Sequence, residues 1–413
     1  MGLNTNGALA PRWLKISTAS VFVLWIVAQV VMLVLYWQVP QYSDAANYAA
    51  FARQAFDAGS WYPLAANIAN DMWVANTGYI NFLVANLYLF GTLDFVGIEQ
   101  LLLNILLLWS LAKLTRYFAG DAAACMAVLV FCLLPSNTVI VAAHMSDLLA
   151  VALILFSMAM LRRSWPWLIA AGFVVILANW VRPVAMVYLP SLLLFALYKH
   201  VKFKWYVPYI CGMAIGAVAI AGLTYASCGH AMLGSTTKGT NMIMGCNDRA
   251  NGAYDASVFE EGGPGYIDPA LGYNAFQTDS ALTRRSAEWI LSHPGRFAAL
   301  APAKMFRLWG ADYYVDKILE EDSHTSGKTQ MMLSATYYLA ILLCLVGLWR
   351  ERKSLWGIAG ILFMPVLIGS AMHLLMYGGM RYHYPMLPPV IYFAAVGLCA
   401  LLKMPPKSIA TGR

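Results

Sequence analysis

Charge is what this chain has least of. Across 413 residues only 11% are Asp, Glu, Lys or Arg, while 61% are hydrophobic and the mean hydropathy is +0.62. A soluble domain carries roughly 25% charged residues, so this composition excludes a water-compatible surface over the whole chain. Internal repeats and low-complexity tracts are also missing, and with them the usual mark of a transporter built from paired halves. His144, His293 and His383 lack paired metal-ligand spacing. The glycine-rich stretch from Glu261 to Gly265 lacks the strand-to-helix context of a phosphate cradle.

In place of charge there are apolar runs near the length that crosses about 30 Å of hydrocarbon. Expected spans are Ile16–Val39, Phe95–Phe118, Ala122–Leu134, Leu148–Leu161, Trp165–Val181, Val184–Tyr198, Tyr206–Ala226, Met331–Leu348, Leu355–Met376 and Tyr384–Leu402. The first run is too long for a signal-peptide core and reads as a retained anchor. The formal net charge of +7 then bears on topology before nucleic-acid affinity. With the N-terminus inside, the inner connections hold Lys113 and Arg116; Arg162 and Arg163; Lys199, Lys202 and Lys204; Arg350, Arg352 and Lys353; and Lys403 and Lys407. Short outer loops hold only Arg53, Arg182 and Arg381. The positive-inside rule therefore predicts ten spans with both ends cytoplasmic. If Tyr79–Gly91 also crossed, every later loop would change sides, so it is expected to be interfacial or re-entrant.

This topology divides the chain into a membrane module with its first outer loop (1–226, the loop being 40–94), an extracytoplasmic segment (227–330) and C-terminal spans with a short tail (331–413). Within the first loop, Asp44–Ala58 reads as an amphipathic helix. Tyr48, Phe51 and Ala55 follow Asp44 at helical spacing, on a stripe expected to face the membrane. In the large segment, residues 279–309 read as a helix whose Trp289, Phe297, Met305, Phe306 and Trp309 suit the interface. Cys228 and Cys246 lie in or beside that segment, and their pairing stays open on spacing alone. The other five cysteines sit in apolar runs as small hydrophobes.

The unusual polar residues converge on one predicted face. Asp44 follows the first span, and Asp147 opens another in Ala143-His144-Met145-Ser146-Asp147. Arg182-Pro183 ends a third, and Arg381-Tyr382-His383-Tyr384 lies between the last two. Alone, each is readily a snorkelling or capping residue, and Tyr382 and Tyr384 are equally belt aromatics. Together, carboxylates with arginines suit the transfer of a sugar from a polyprenyl phosphate. The lipid phosphate leaves as an anion and needs cations, whereas the acceptor hydroxyl must lose a proton to a carboxylate base. Asp57 and Asp71 read as solvated loop acids.

The sequence resembles the GT-C membrane glycosyltransferases, in particular bacterial relatives of protein O-mannosyltransferases and lipid A aminoarabinose transferases. The resemblance covers most of the chain. It rests on Asp44 and Tyr48 followed by Gly59-Ser60-Trp61-Tyr62-Pro63, then Thr77-Gly78-Tyr79-Ile80 through Leu89-Phe90-Gly91. It continues through Pro135 and Asp147, Arg182-Pro183, Ser235-Thr236, Gly239, Gly245-Cys246-Asn247 and Ala250 to Tyr254. His293-Pro294 with Lys304, and Arg381-Tyr382 with Pro385, complete it. Thr77 and Ile80 replace prolines common in the family, Glu99-Gln100 stands where relatives often have Ala-Arg, and the chain lacks a soluble C-terminal domain.

The resemblance implies an all-α polytopic bundle, GT-C-like, with interfacial helices in the first outer loop and one large outer loop. It implies Asp44 as base and Asp147 as a second acid that orients the acceptor or helps hold a cation. Arg182, Lys238 or Arg381 would receive the donor phosphate, and Tyr48, Asn247, Tyr254, Lys304, Tyr382 and His383 complete the substrate-binding set. No cofactor is implied for certain, and assistance by a divalent cation (magnesium or manganese) stays open. The implied partners are a polyprenyl-phosphate-linked sugar, a lipid or glycan acceptor and membrane lipids, at the periplasmic face of a bacterial inner membrane. The rival readings are a flippase for a lipid-linked sugar and an O-antigen ligase or polymerase.

Overall fold

Helices account for all the regular structure in a computed structural model that describes residues 9–37, 39–161, 164–183, 185–312, 332 and 334–404. In chain order they are α1 (Arg12–Leu35), α2 (Ser43–Asp57), α3 (Ala65–Asn70), α4 (Thr77–Phe90), α5 (Val96–Ala119), α6 (Asp121–Leu133), α7 (Pro135–Val139), α8 (Ser146–Met160) and α9 (Trp165–Val181). There follow α10 (Ala185–Tyr198), α11 (Tyr206–Cys228), α12 (Lys238–Gly245), α13 (Ala275–Ser292), α14 (Pro294–Trp309), α15 (Ala335–Arg350), α16 (Ile358–Leu375) and α17 (Leu387–Leu401). Arg162, Arg163, Lys328 and Lys407 lie outside the described residues.

Five segments are long and apolar enough to cross a membrane: Arg12–Leu35, Val96–Ala119, Phe203–Cys228, Ile358–Leu375 and Met380–Leu401. A sixth forms if α6 and the turns after it, which meet at a 74° bend, count as one broken span. Along α1, Val23, Leu24, Val27, Val34 and Leu35 are exposed, a surface suited to lipid tails. The chain is a helical, multi-pass membrane protein. A helix covers each of the ten expected spans, but α8, α9, α10 and α15 have only 15, 17, 14 and 16 residues. At about 1.5 Å per residue these fall short of a full hydrocarbon core.

Close helix crossings are built on glycine, because lipid gives no hydrophobic drive for association and backbones must touch. A Cβ on Gly172 of α9 would sit 2.0 Å from the Tyr209 carbonyl oxygen of α11, and one on Gly212 equally close to that of Ile169. The segment Met380–Leu401 is the most enclosed of the candidate spans, 83% of its apolar window being buried. It forms the pillar against which α6 and α15 pack.

The outer segments differ from the sequence expectation in two ways. The stripe of α2 turns inward: Tyr48, Ala52 and Ala55 are buried against α4, while Asn47, Arg53, Gln54 and Asp57 face outward. The cause is α4 itself, whose buried Tyr79, Ile80, Leu83, Val84 and Leu87 offer α2 an apolar partner within the protein. The predicted helix over 279–309 is two helices, because Pro294 starts α14 afresh. Trp289 is buried with its Nε1 donating to Asp248 Oδ1 at 2.8 Å, while Phe306 stays exposed. All seven cysteines are free thiols, Cys228 and Cys246 included.

Candidate active site

Each charged residue of the predicted face stands at a helix end, and for Asp44, Asp147 and Arg182 the helix dipole favours the charge. Asp44 lies in the first turn of α2, just after Ser43, whose φ of 53° is strained for a residue with a side chain. Gln41 fixes that entry by donating to the Ala142 carbonyl at 3.1 Å and accepting from the His144 amide at 3.0 Å. Asp147 lies in the first turn of α8. The irregular segment before it is held by Gln100, whose Nε2 donates to the carbonyls of Val141 and Ala143 at 3.1 and 3.0 Å. Arg182 is the extended C-terminal cap of α9. Arg381 lies in the 3-10 turn Met380–Met386 that leads into α17.

These four side chains form one ion-pair quartet. Asp147, fully buried, is held from both sides: Arg182 Nη1 reaches its Oδ1 at 2.5 Å and Arg381 Nε its Oδ2 at 2.9 Å. Arg381 Nη1 also donates to Asp44 Oδ2, so one guanidinium joins both acids. Exposure separates the members: the Asp44 side chain is 48% exposed, against 9% for Arg381 and 11% for Arg182. Asp147 is thus compensated twice, as a buried carboxylate requires. Asp44 instead is half-exposed and paired through Oδ2.

A polar and aromatic lining surrounds the quartet. Tyr48 receives Arg381 Nη2 at 3.4 Å and Asn76 Nδ2 at 2.6 Å. Burial raises the Tyr48 phenol above its usual pKa and the Arg381 guanidinium partly reverses that, so the group stays protonated at neutral pH. Asn76 also donates to Ser146 Oγ at 3.2 Å, which faces Arg182 Nη1 at 3.4 Å. Tyr382 lies under the Arg182 guanidinium, 5.2 Å from ring centre to Cζ, stacks on His373 and shares a short hydroxyl contact with Tyr377. Tyr254, well exposed, packs edge-on against Tyr377.

The other residues expected in the site are placed differently. Lys304 is buried, its Nζ donating to the Leu374 carbonyl at 2.7 Å and lying 3.8 Å from Cys246 Sγ. Burial pulls the Lys304 pKa down. Asn247 donates to the Ile243 carbonyl at 2.6 Å, within the end of α12. His383 is sandwiched between Trp309 and Tyr337, with Nδ1 at 2.9 Å from the Leu308 carbonyl. Lys238 is exposed at the start of α12. Sequence reasoning passed over Asn76, Ser146, Tyr377 and His373. The one available signal was Asn76 beside Gly78, since asparagine tolerates the left-handed backbone (φ 35°) found there.

No family model matches the chain, and no curated protein matches it. Among solved structures it is similar to the crystal structure of ArnT from Cupriavidus metallidurans bound to undecaprenyl phosphate. The two share 13% identity at a TM-score of 0.39, over 92% of this chain and 77% of that one. At that level the likeness decides nothing about the quartet, which stands on its own geometry.

Proposed function

We propose that the chain is an integral membrane glycosyltransferase. It takes one sugar from a polyprenyl phosphate such as undecaprenyl phosphate and passes it, with inversion, to a cell-envelope acceptor at the periplasmic face of a bacterial inner membrane. The candidate acceptors are a lipid-linked glycan, an O-antigen repeat, lipid A and a secreted protein, of which a cell-envelope glycan is favoured. The observation that carries this reading is the quartet: an accessible carboxylate joined to buried guanidinium groups at helix ends.

In the reaction the acceptor oxygen bonds to the anomeric carbon as the bond from that carbon to the phosphate oxygen breaks. The departing polyprenyl phosphate keeps the electron pair, and the hydroxyl proton passes to Asp44. Arg182 and Arg381 meet the charge that grows on the phosphate, in a setting dry enough to make each contact strong. Asp147 fixes both guanidinium groups. With both oxygens engaged by arginines, Asp147 makes a poor ligand for a resident divalent cation. Among the described residues, no group of three or more His, Cys, Asp and Glu gathers to hold one.

The test is Asp44→Asn, which keeps shape and removes the base. Transfer is expected to fall by about 10²- to 10⁴-fold, the usual contribution of general-base catalysis. Expression and donor binding should persist, and near-normal turnover would discard the assignment. Mass spectrometry of envelope lipids and glycans, with and without the gene, separates the rival activities. One added sugar supports this reading, an unchanged product mass supports a flippase, and a transferred chain supports a ligase or polymerase.

A further inference from the structure

The proposed base is itself engaged by a guanidinium group. Asp44 Oδ2 accepts from Arg381 Nη1, so the carboxylate that must take a proton is held by the group that must meet the phosphate. The arrangement is lopsided. Asp147 holds Arg381 through Nε and Arg182 through Nη1, so it stays compensated if Arg381 lets Asp44 go. Asp44, at 48% exposed, rehydrates cheaply on release, whereas Asp147 does not. Two acids and two guanidinium groups also leave the quartet neutral, so an arriving phosphate finds positive charge only by displacing a carboxylate.

Resting on the glycosyltransferase reading, we propose that donor phosphate displaces Asp44 from Arg381. The base becomes available only once the donor is seated. Arg381 then has two successive partners, and its switch between them imposes an order, donor first and acceptor second. Before that exchange the acceptor hydroxyl meets a carboxylate tied to Arg381 through Oδ2. Tyr48 supports the exchange by anchoring Arg381 Nη2, so that the guanidinium pivots and does not withdraw.

Carbodiimide labelling of carboxylates tests this on the full-length protein in nanodiscs, read by peptide mass spectrometry with and without undecaprenyl phosphate. Native mass spectrometry of the same samples reports whether the lipid binds. Asp44 labelling is expected to rise about fivefold on saturation, the factor that releasing a partly exposed ion pair supplies. The solvated Asp57 serves as an unchanging control. In Arg381→Gln, Asp44 should label strongly without lipid and gain nothing from it. If that variant does not fold, the wild-type comparison decides alone. Lipid bound with Asp44 labelling unchanged or lowered overturns the exchange and leaves the proposed function standing. Absence of lipid binding overturns the proposed function itself.

Discussion

At the scale of residues, the sequence shows which side chains are out of place but not whom they meet. Asp44, Asp147, Arg182 and Arg381 are legible because charge is rare here and each stands at the end of an apolar run. That Arg381 bridges two acids 337 and 234 positions away depends on tertiary packing alone. Asn76 and Ser146 escape notice because an isolated amide or hydroxyl has no spacing signature. His144 illustrates the cost of such surroundings. Its Nδ1 is buried without a hydrogen-bond partner among the described residues, and burial lowers its pKa from 6.5 to about 4, with Asp94 pulling slightly the other way. The unfolded chain takes up that proton near 6.5 and the folded one only near 4. This contribution to stability is therefore complete above 6.5 and drains away as pH falls towards 4. Thermal midpoints in detergent should drop between about pH 7 and pH 5, and His144→Gln should shrink the drop. Equal drops in both proteins would remove His144 as the cause.

At the scale of elements, the helices were easier to read than their breaks. The expected span Trp165–Val181 coincides with α9, because a continuous apolar run has one physical solution in lipid. The 74° bend between α6 and the following turns was not legible, although Pro135 marks its place. Nor was the inward turn of α2, since an amphipathic stripe does not say whether lipid or protein covers it. The element contact that most directly shapes the site is α4 on α9. A Cβ on Gly78 would lie 2.5 Å from the Val181 amide nitrogen, so the start of α4 touches the end of α9. Next to this contact, Asn76 and Arg182 meet at the same Ser146 hydroxyl. Gly78→Leu should push the two ends apart, cost about 1–3 kcal/mol in stability by overpacking, and lower transfer on the order of 10²-fold by displacing the site. Circular dichroism should show helix content retained. Full activity in that variant would mean that the contact does not position the site.

At the scale of the whole molecule, the distribution of lysine and arginine predicts a topology, because inner loops retain positive charge during insertion. The predicted topology would put all four quartet residues on the outer face, and their assembly into one cluster requires a common side. Cysteines introduced beside positions 44, 147, 182 and 381 should react with a membrane-impermeant thiol reagent applied from the periplasm. Reaction only from the cytosol, at any of the four, would invert the arrangement. What composition hides is the order in which the parts come together. Asp44 and Arg381 stand 337 residues apart, which at ribosomal rates of about 5–20 residues per second separates their synthesis by roughly 20 to 70 s. Throughout that interval the nascent chain, already threaded through the translocon, presents its acid with no guanidinium from Arg381 to answer it. The quartet is therefore completed only when the C-terminal pillar slots home.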